Sequence, residues 1–250
     1  MKNQYIGDIG DYGKYGLLRF LSEHGIKIGV NWYLSENDKI VIDGNINNYL
    51  NNERENGDKC YDPELFDILK RFAFRDDKKV EQLEDNNIIP NAVYYHDIIP
   101  TVSETARQER KSIRDTWHNN ALKALNGVEL VFADPDNGSA VDNKLTRKNG
   151  EKYAGIGELA DYYNAKKDIV YYCHKARRKQ SVWESKMREL ESIGAKIIVL
   201  TFHRGTQRSY IFAIHPKRYE KYNELIEQFL STNWGTVKVD GKKEPFSREL

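Results

Sequence analysis

Residues 134–137 read Asp134, Pro135, Asp136 and Asn137; an apolar run at 128–133 leads into them and Gly138 follows. Proline has no N–H for a strand ladder and fixes φ, so a strand entering Asp-Pro stops there and leaves a carboxylate at its carboxyl end. In an open α/β sheet, that rim is where ligands bind. Asn137 and Gly138 suit a turn and a close approach of backbone to ligand. A carboxylate in that position can orient an amine, help hold a cation, or simply begin a polar turn.

Further groups with chemistry stand elsewhere in the chain. Residues 5–16 are rich in Gly, Asp and Tyr and carry Asp8, Gly10, Asp11, Tyr12, Lys14 and Tyr15. A basic cluster, His174, Lys175, Arg177 and Arg178, follows an apolar run at 168–173. On a strand-end rim those residues would make a phosphate-binding edge. His203 and Arg204 open a second basic stretch, 203–208, where a surface hairpin tip and a nucleic-acid contact are equally good readings. Arg107, Arg110, Lys111 and Arg114 recur at helical spacing among Glu104, Glu109 and Asp115, the pattern of a solvated, salt-bridged face. Asp97, after the run 92–96, is a further rim candidate.

Asp8, Asp11, Asp134 and Asp136 beside basic residues also fit a Mg²⁺-dependent nuclease, in which carboxylates hold the metal against a scissile phosphate. Asp136 followed by Asp142, Asn143 and Lys144 is a loose version of such a pattern. A base-excising glycosylase would use one Asp and an Asn-bearing turn without a cofactor. No His/Cys spacing suggests a resident metal: Cys60 and Cys173 form neither a disulfide framework nor a CxxC.

The 250 residues suit a single α/β domain, with 39% hydrophobic residues for a core and 31% charged residues for the surface. A net charge of +1 leaves any anion-binding surface to local clustering. Sixteen tyrosines are many, and tyrosine both half-buries well and stacks on bases. No apolar stretch is long enough for a membrane span and no leader is evident, so the expectation is a soluble cytoplasmic protein.

Apolar periodicity predicts helices at 17–22, 62–74, 78–84, 101–124, 156–167, 180–193 and 218–231. Strands are predicted at 27–34, 92–96, 127–134, 168–173, 195–202 and 209–214. Helical insertion is expected at 53–90 and a loop covering the site at 138–156. Alternating strands and helices imply a mainly parallel, Rossmann-like sheet with helices on both faces. The last two strands are joined only by 203–208, too short for a crossover, so they form a C-terminal antiparallel hairpin.

A parallel sheet finishing in such a hairpin is characteristic of Rossmann-like methyltransferases, and several residues strengthen that likeness. The chain resembles the 23S ribosomal RNA adenine-N6 methyltransferase family and the three-Cys-motif partner proteins. Residues 14–21, from Lys14 through Leu17, Leu18 and Arg19 to Leu21, are similar to the partner proteins' Lys-x-x-Ile-Leu-Arg-x-Tyr-Leu. Residues 132–138 stand where those proteins have Asp-Pro-Phe-Gly and where adenine-N6 methyltransferases have Asp/Asn-Pro-Pro-aromatic. The resemblance implies S-adenosylmethionine as cofactor and a nucleic-acid base, in DNA or RNA, as substrate. It makes Asp134, Pro135, Asp136 and Asn137 the catalytic segment, with Asp134 orienting the target amine. Asp8, Gly10, Asp11, Tyr12, Lys14, Asp43 and Asp97 would line the cofactor side. Tyr15, His174, Lys175, Arg177, Arg178, His203 and Arg204 would meet the substrate, with Tyr12 or Tyr15 supplying the stacking ring that Asp136 and Asn137 lack. A methyltransferase fold that only binds a nucleotide or a partner is the non-catalytic alternative.

Overall fold

The computed structural model describes residues 1–37, 46–54, 57–101, 107–175 and 177–250. Asp43 lies outside the described residues.

The first helix, α1 (Ile9–Glu23), starts eight residues before the apolar stretch that predicts it. Asp8 caps it, its carboxylate accepting the Gly10 N–H at 2.8 Å. Gly10, Gly13 and Gly16 recur every third residue along α1, on the face it turns to its neighbours. A Cβ at Gly13 would come within 2.5 Å of the Phe202 ring, and one at Gly16 within 2.3 Å of Trp234. These glycines therefore serve close helix packing. From Ile9 on, the Gly/Asp/Tyr stretch is a buried helix.

After α1 come β1 (Ile28–Asn31), α2 (Pro63–Ala73), α3 (Val80–Asp85) and β2 (Val93–Tyr95). Asp62 caps α2 by accepting the Leu65 N–H, and Pro63 occupies its first turn, where its missing N–H costs nothing. Then follow α4 (Arg107–Ala124), β3 (Leu130–Ala133), β4 (Ser139–Ala140), α5 (Asp142–Leu145), β5 (Ala154–Gly155), α6 (Ile156–Asn164) and β6 (Asp168–Cys173). The chain closes with α7 (Gln180–Met187), β7 (Lys196–Phe202), β8 (Arg208–Ile214), α8 (Tyr219–Ser231), α9 (Asn233–Thr236) and β9 (Phe246–Arg248).

Among the described residues, seven strands form one sheet in the order β2-β1-β3-β6-β8-β7-β9. β2, β1, β3 and β6 pair in parallel; β8 runs antiparallel between β6 and β7, and β9 pairs antiparallel on β7. The mixed α/β architecture, parallel at its centre and antiparallel at its C-terminal end, is the expected one. β1, β3 and β6 are buried throughout, as strands covered on both faces must be. One core packs α1, α2, α3 and α8 on one face of the sheet; α4, α6 and α7 contribute to the core on the other.

Several predicted boundaries shift. The segment 138–156, expected as a loop, holds the small two-stranded sheet β4–β5 and the single turn α5. The helix predicted at 180–193 ends as α7 at Met187 and continues as a 3-10 turn stopped by Gly194 at φ +86°. β9, within what reads as a charged tail, is anchored by Phe246 against Phe202 and Trp234. Along α4 the predicted solvated face holds for Lys111, which pairs with Asp115. Arg114 differs: it is buried and forms a two-pronged bond to Glu158 of α6 at 2.6 and 2.9 Å.

Candidate functional site

The chain leaves β1 toward β2 on one side, while β3 lies on the other, so the strand order reverses between β1 and β3. In doubly wound sheets such a reversal opens a crevice beyond the strands' carboxyl ends. Asp134 stands directly after β3 at that point, 5% exposed. Tyr33, beyond β1, has φ +45°, a left-handed conformation unusual for a bulky residue and costing on the order of 1–3 kcal/mol. Its N–H donates to Asn31 Oδ1 and its hydroxyl to Glu158, which hold it there. The carbonyls of Tyr33 and Asp134 both accept from the Met1 ammonium, at 3.2 and 2.8 Å, and Asp136 pairs with that ammonium at 2.9 Å. Two strand-end carbonyls and a carboxylate thus form a binding place for a primary ammonium.

A cavity of about 1290 Å³ opens here between α1, the turn after β3, the end of β6 and the β7–β8 hairpin. Its floor is ion-paired. Lys14 of α1 stands between two carboxylates, with Nζ 2.7 Å from Asp11 Oδ1 and 2.7 Å from Asp134 Oδ2. Burial alone would favour a neutral amine, but Asp11 and Asp134 together raise the Lys14 pKa and keep it protonated. Burial also raises Asp11, and Lys14 cancels only part of that, because one ammonium serves two carboxylates. Asp11 Oδ2 accepts the Gly7 N–H as well. Arg208, at the start of β8, reaches back to Asp8 at 2.5 Å, and its guanidinium packs on Gly10, where a Cβ would come within 2.4 Å of it.

The wall contributed by β6 is a hydrogen-bonded chain. The Tyr172 hydroxyl is hydrogen-bonded to His174 Nε2, and Arg208 and the Gln207 backbone lie close by. Burial and the nearby Arg208 and Arg178 lower the His174 pKa, which favours the neutral ring that can accept the tyrosine's hydrogen bond. The rim differs in charge balance from the floor. On the floor Asp8, Asp11, Asp134 and Asp136 face Lys14, Arg208, Lys2 and the Met1 ammonium, four charges of each sign. Lys152, Lys175, Arg177 and Arg178 line the rim, where Lys175 bonds Gln180 and Arg178 bonds backbone carbonyls.

The turn after Asp134 is strapped on several sides. The Asn137 N–H donates to the Lys152 carbonyl and the Ala154 N–H to the Gly138 carbonyl. Gly138 has φ +91°, and a Cβ on it would sit 2.6 Å from Cys173 Sγ, so this close passage over β6 requires glycine. Ser139 bonds to Glu189, which also accepts from the Tyr171 hydroxyl and pairs with Lys186.

Of the residues singled out in sequence, Asp8, Gly10, Asp11, Lys14, Asp134, Pro135, Asp136, Asn137, His174, Lys175, Arg177 and Arg178 all line this one cavity. Asp97 lines a second one, about 750 Å³, at the end of β2 with Tyr95, Ile98 and Trp117. Four residues lie elsewhere. Tyr12 is 1% exposed, stacked on Tyr49, with its hydroxyl donating to the Asp58 and Asp62 carbonyls. Tyr15 is fully buried edge-on to Trp32, so neither ring can reach a base. Arg204 is 3% exposed and holds Tyr61 Oη and the Lys243 carbonyl, with Asp58 3.6 Å away; His203 bonds Ser247. These two bind the C-terminal segment to the fold and take no part in the cavity. Sequence reasoning missed Arg208, Tyr172, Lys152 and Tyr153, which do line it. Arg208 lies in the stretch 203–208, but nothing local tells its partner from that of Arg204.

Among the described residues, no group of three or more His, Cys, Asp or Glu is placed to hold a metal ion, and no helix is long and apolar enough to cross a membrane. No family model and no curated protein sequence matches the chain. Among solved structures it is similar to the crystal structure of protein LPL1258 from Legionella pneumophila str. Philadelphia 1, described under the family model DUF519. The two are 12% identical with a TM-score of 0.51, over 99% of this chain and 97% of that one. At that identity the likeness is one of fold.

Proposed function

We propose that the chain is a nucleic-acid-modifying enzyme that transfers a methyl group from S-adenosylmethionine to an exocyclic amine of a base, adenine-N6-like, with Asp134 orienting the amine. The observation that carries this reading is the position of Asp134. It lies at the strand-order reversal, on the floor of a cavity whose rim is cationic and whose floor is charge-balanced. A polyanion is drawn to such a rim, while a neutral base meets paired groups below.

The residues present fit the cofactor. The Tyr33 and Asp134 carbonyls with Asp136 are acceptors of the kind the amino group of S-adenosylmethionine would need, though they are taken up by the Met1 ammonium, which the cofactor would have to displace. The second cavity, with Tyr95, Trp117 and Ile98 beside Asp97, has the flat apolar walls and the carboxylate that suit an adenosine. When bound, the cofactor supplies an electrophilic methyl on a sulfonium.

The chain's own residues do the rest. An exocyclic amine is a weak nucleophile, so its hydrogens must be accepted and its lone pair aimed. Asp134 and the Pro135 carbonyl are the acceptors at the floor. Lys14 keeps the Asp134 carboxylate fixed through Oδ2, and Asp11 fixes Lys14 in turn. His174, Lys175, Arg177 and Arg178 guide the phosphates along the rim.

The test compares Asp134→Ala with Asp134→Asn, following methyl transfer to single-stranded DNA and RNA by mass spectrometry and cofactor binding by thermal shift. Both variants should still bind S-adenosylmethionine. Alanine should lower transfer by roughly 10²–10³-fold, while Asn, which keeps an acceptor oxygen, should retain a measurable part. Failure of the wild-type protein to bind the cofactor at millimolar concentration, together with Mg²⁺-dependent cutting lost equally in both variants, would sink the reading in favour of a nuclease. Release of free base without cofactor would favour a glycosylase.

A further inference from the structure

The turn at Asp136 and Asn137 offers no ring, and Tyr12 and Tyr15 are sealed in the core, yet a cavity that takes a base needs a flat surface beside its floor. Among the described residues four tyrosines line the cavity: Tyr5, Tyr153, Tyr172 and Tyr210. Tyr210 is 1% exposed, its hydroxyl donating to the Gly10 carbonyl of α1, and Tyr172 is 9% exposed and bonded to His174. Tyr5 belongs to the amino-terminal 3-10 turn Asn3–Tyr5 and is not on the strap bonded to the 134–138 turn. Tyr153 is half-buried and sits beside the 134–138 turn, because the residues on either side of it are bonded to that turn: Asn137 N–H to the Lys152 carbonyl, Ala154 N–H to the Gly138 carbonyl.

The backbone of Tyr153 is also held from below. Its carbonyl accepts from the buried Arg114 at 2.9 Å, and Arg114 is locked to Glu158. The Lys144 ammonium stands 3.6 Å from the centre of the Tyr153 ring. Lys144 is not among the cavity-lining residues, whereas Tyr153 is, so the cation pins the ring of a residue that lines the cavity without itself occupying it. A pinned aromatic surface next to a carboxylate and under a cationic rim has the features that bind a base by stacking, whatever its identity.

We propose that Tyr153 is the base-stacking residue of this site, with Lys144 as a positioning residue that fixes its ring; the proposal rests on the base-modifying reading above. Stacking is tolerant of which base is present, so Tyr153 sets affinity for an extruded base, and Asp134 discriminates by the amine.

The experiment places 2-aminopurine in a single-stranded oligonucleotide and follows its fluorescence as wild-type protein, Tyr153→Phe, Tyr153→Leu and Tyr5→Leu are added, with thermal shift by S-adenosylmethionine measured in parallel. Leucine keeps the apolar volume and removes the π-face, so a fold defect and a stacking defect are separated. Quenching should persist with wild-type and Tyr153→Phe and be lost with Tyr153→Leu, whose KM for nucleic acid should rise at least about five-fold with the cofactor shift unchanged. Unchanged quenching and KM in Tyr153→Leu, or loss confined to Tyr5→Leu, overturns the proposal while methyl transfer still stands. Absence of transfer in the wild-type protein overturns the base-modifying reading instead, and absence of wild-type quenching overturns the stacking residue alone.

Discussion

Two basic stretches follow strand ends in this chain, 174–178 after β6 and 203–208 after β7, and in sequence they look alike. In the folded protein they part. Arg177 is exposed on the cavity rim, and Arg178 lies against backbone carbonyls beside it. Arg204 is enclosed between Tyr61, Asp58 and the Lys243 carbonyl. Arg208, four residues on, is paired with Asp8 on the floor and packs on Gly10. What separates the exposed Arg177 from the enclosed Arg204 is whether a carboxylate and a tyrosine from distant elements reach the side chain. Composition carries no trace of that.

The contrast can be broken by substitution. The largest effect is expected for Arg204→Ala, which strands the buried Asp58 and should lower unfolding stability by about 3–5 kcal/mol in urea denaturation, with nucleic-acid affinity unchanged in the folded fraction. Arg208→Ala should fall between the two classes. It removes the partner of the buried Asp8, at a cost of roughly 1.5–3 kcal/mol, and it also lowers activity because α1 loses its tie to β8. Arg177→Ala should leave stability within about 0.5 kcal/mol. Its signature is in binding: with one phosphate no longer neutralised, the slope of log affinity against log salt should flatten by about 0.7 to 0.9. If Arg177→Ala and Arg204→Ala prove alike in either measurement, the contrast fails.

The smallest effect concerns pH. His174, His203 and His215 all have pKa values lowered by burial below 6.5. A base that ionises less readily in the folded state contributes stability that is present above the unfolded pKa and lost as pH falls through the folded one. Melting temperature should therefore decline as pH falls from about 6.5. Replacing His174 with Asn should remove part of that decline, and an unchanged pH profile would show that folding does not lower the His174 pKa.

Much of the architecture was legible because period and length are local. β6 was read to the residue, and the hairpin of β7 and β8 followed from the shortness of 203–208. α1 was half read, since its first two turns are made of glycine, aspartate and tyrosine, a composition that speaks for a turn until a neighbour needs the space. β4, β5 and β9 escaped because each is two or three residues long and exists only by pairing. At the site, the carboxylates and the 174–178 cluster were visible as residue types at strand ends. Lys152 and Tyr153 were not, because only the bonds of Asn137 and Gly138 bring a stretch fifteen residues downstream to the floor.

The cavity floor joins Lys14 to Asp134 across 120 positions and Asp8 to Arg208 across 200. Chain ends so far apart meet late, because closing a long loop is unfavourable until other interactions hold it. Neither the first half of the chain nor the second contains a floor. During folding, α1 cannot be seated by Arg208 and Phe202 before the β7–β8 hairpin exists. The pairing of Asp8 with Arg208 is therefore a mark that the β7–β8 hairpin has been added to the fold, and a molecule without it presents the basic residues after β6 above an incomplete floor.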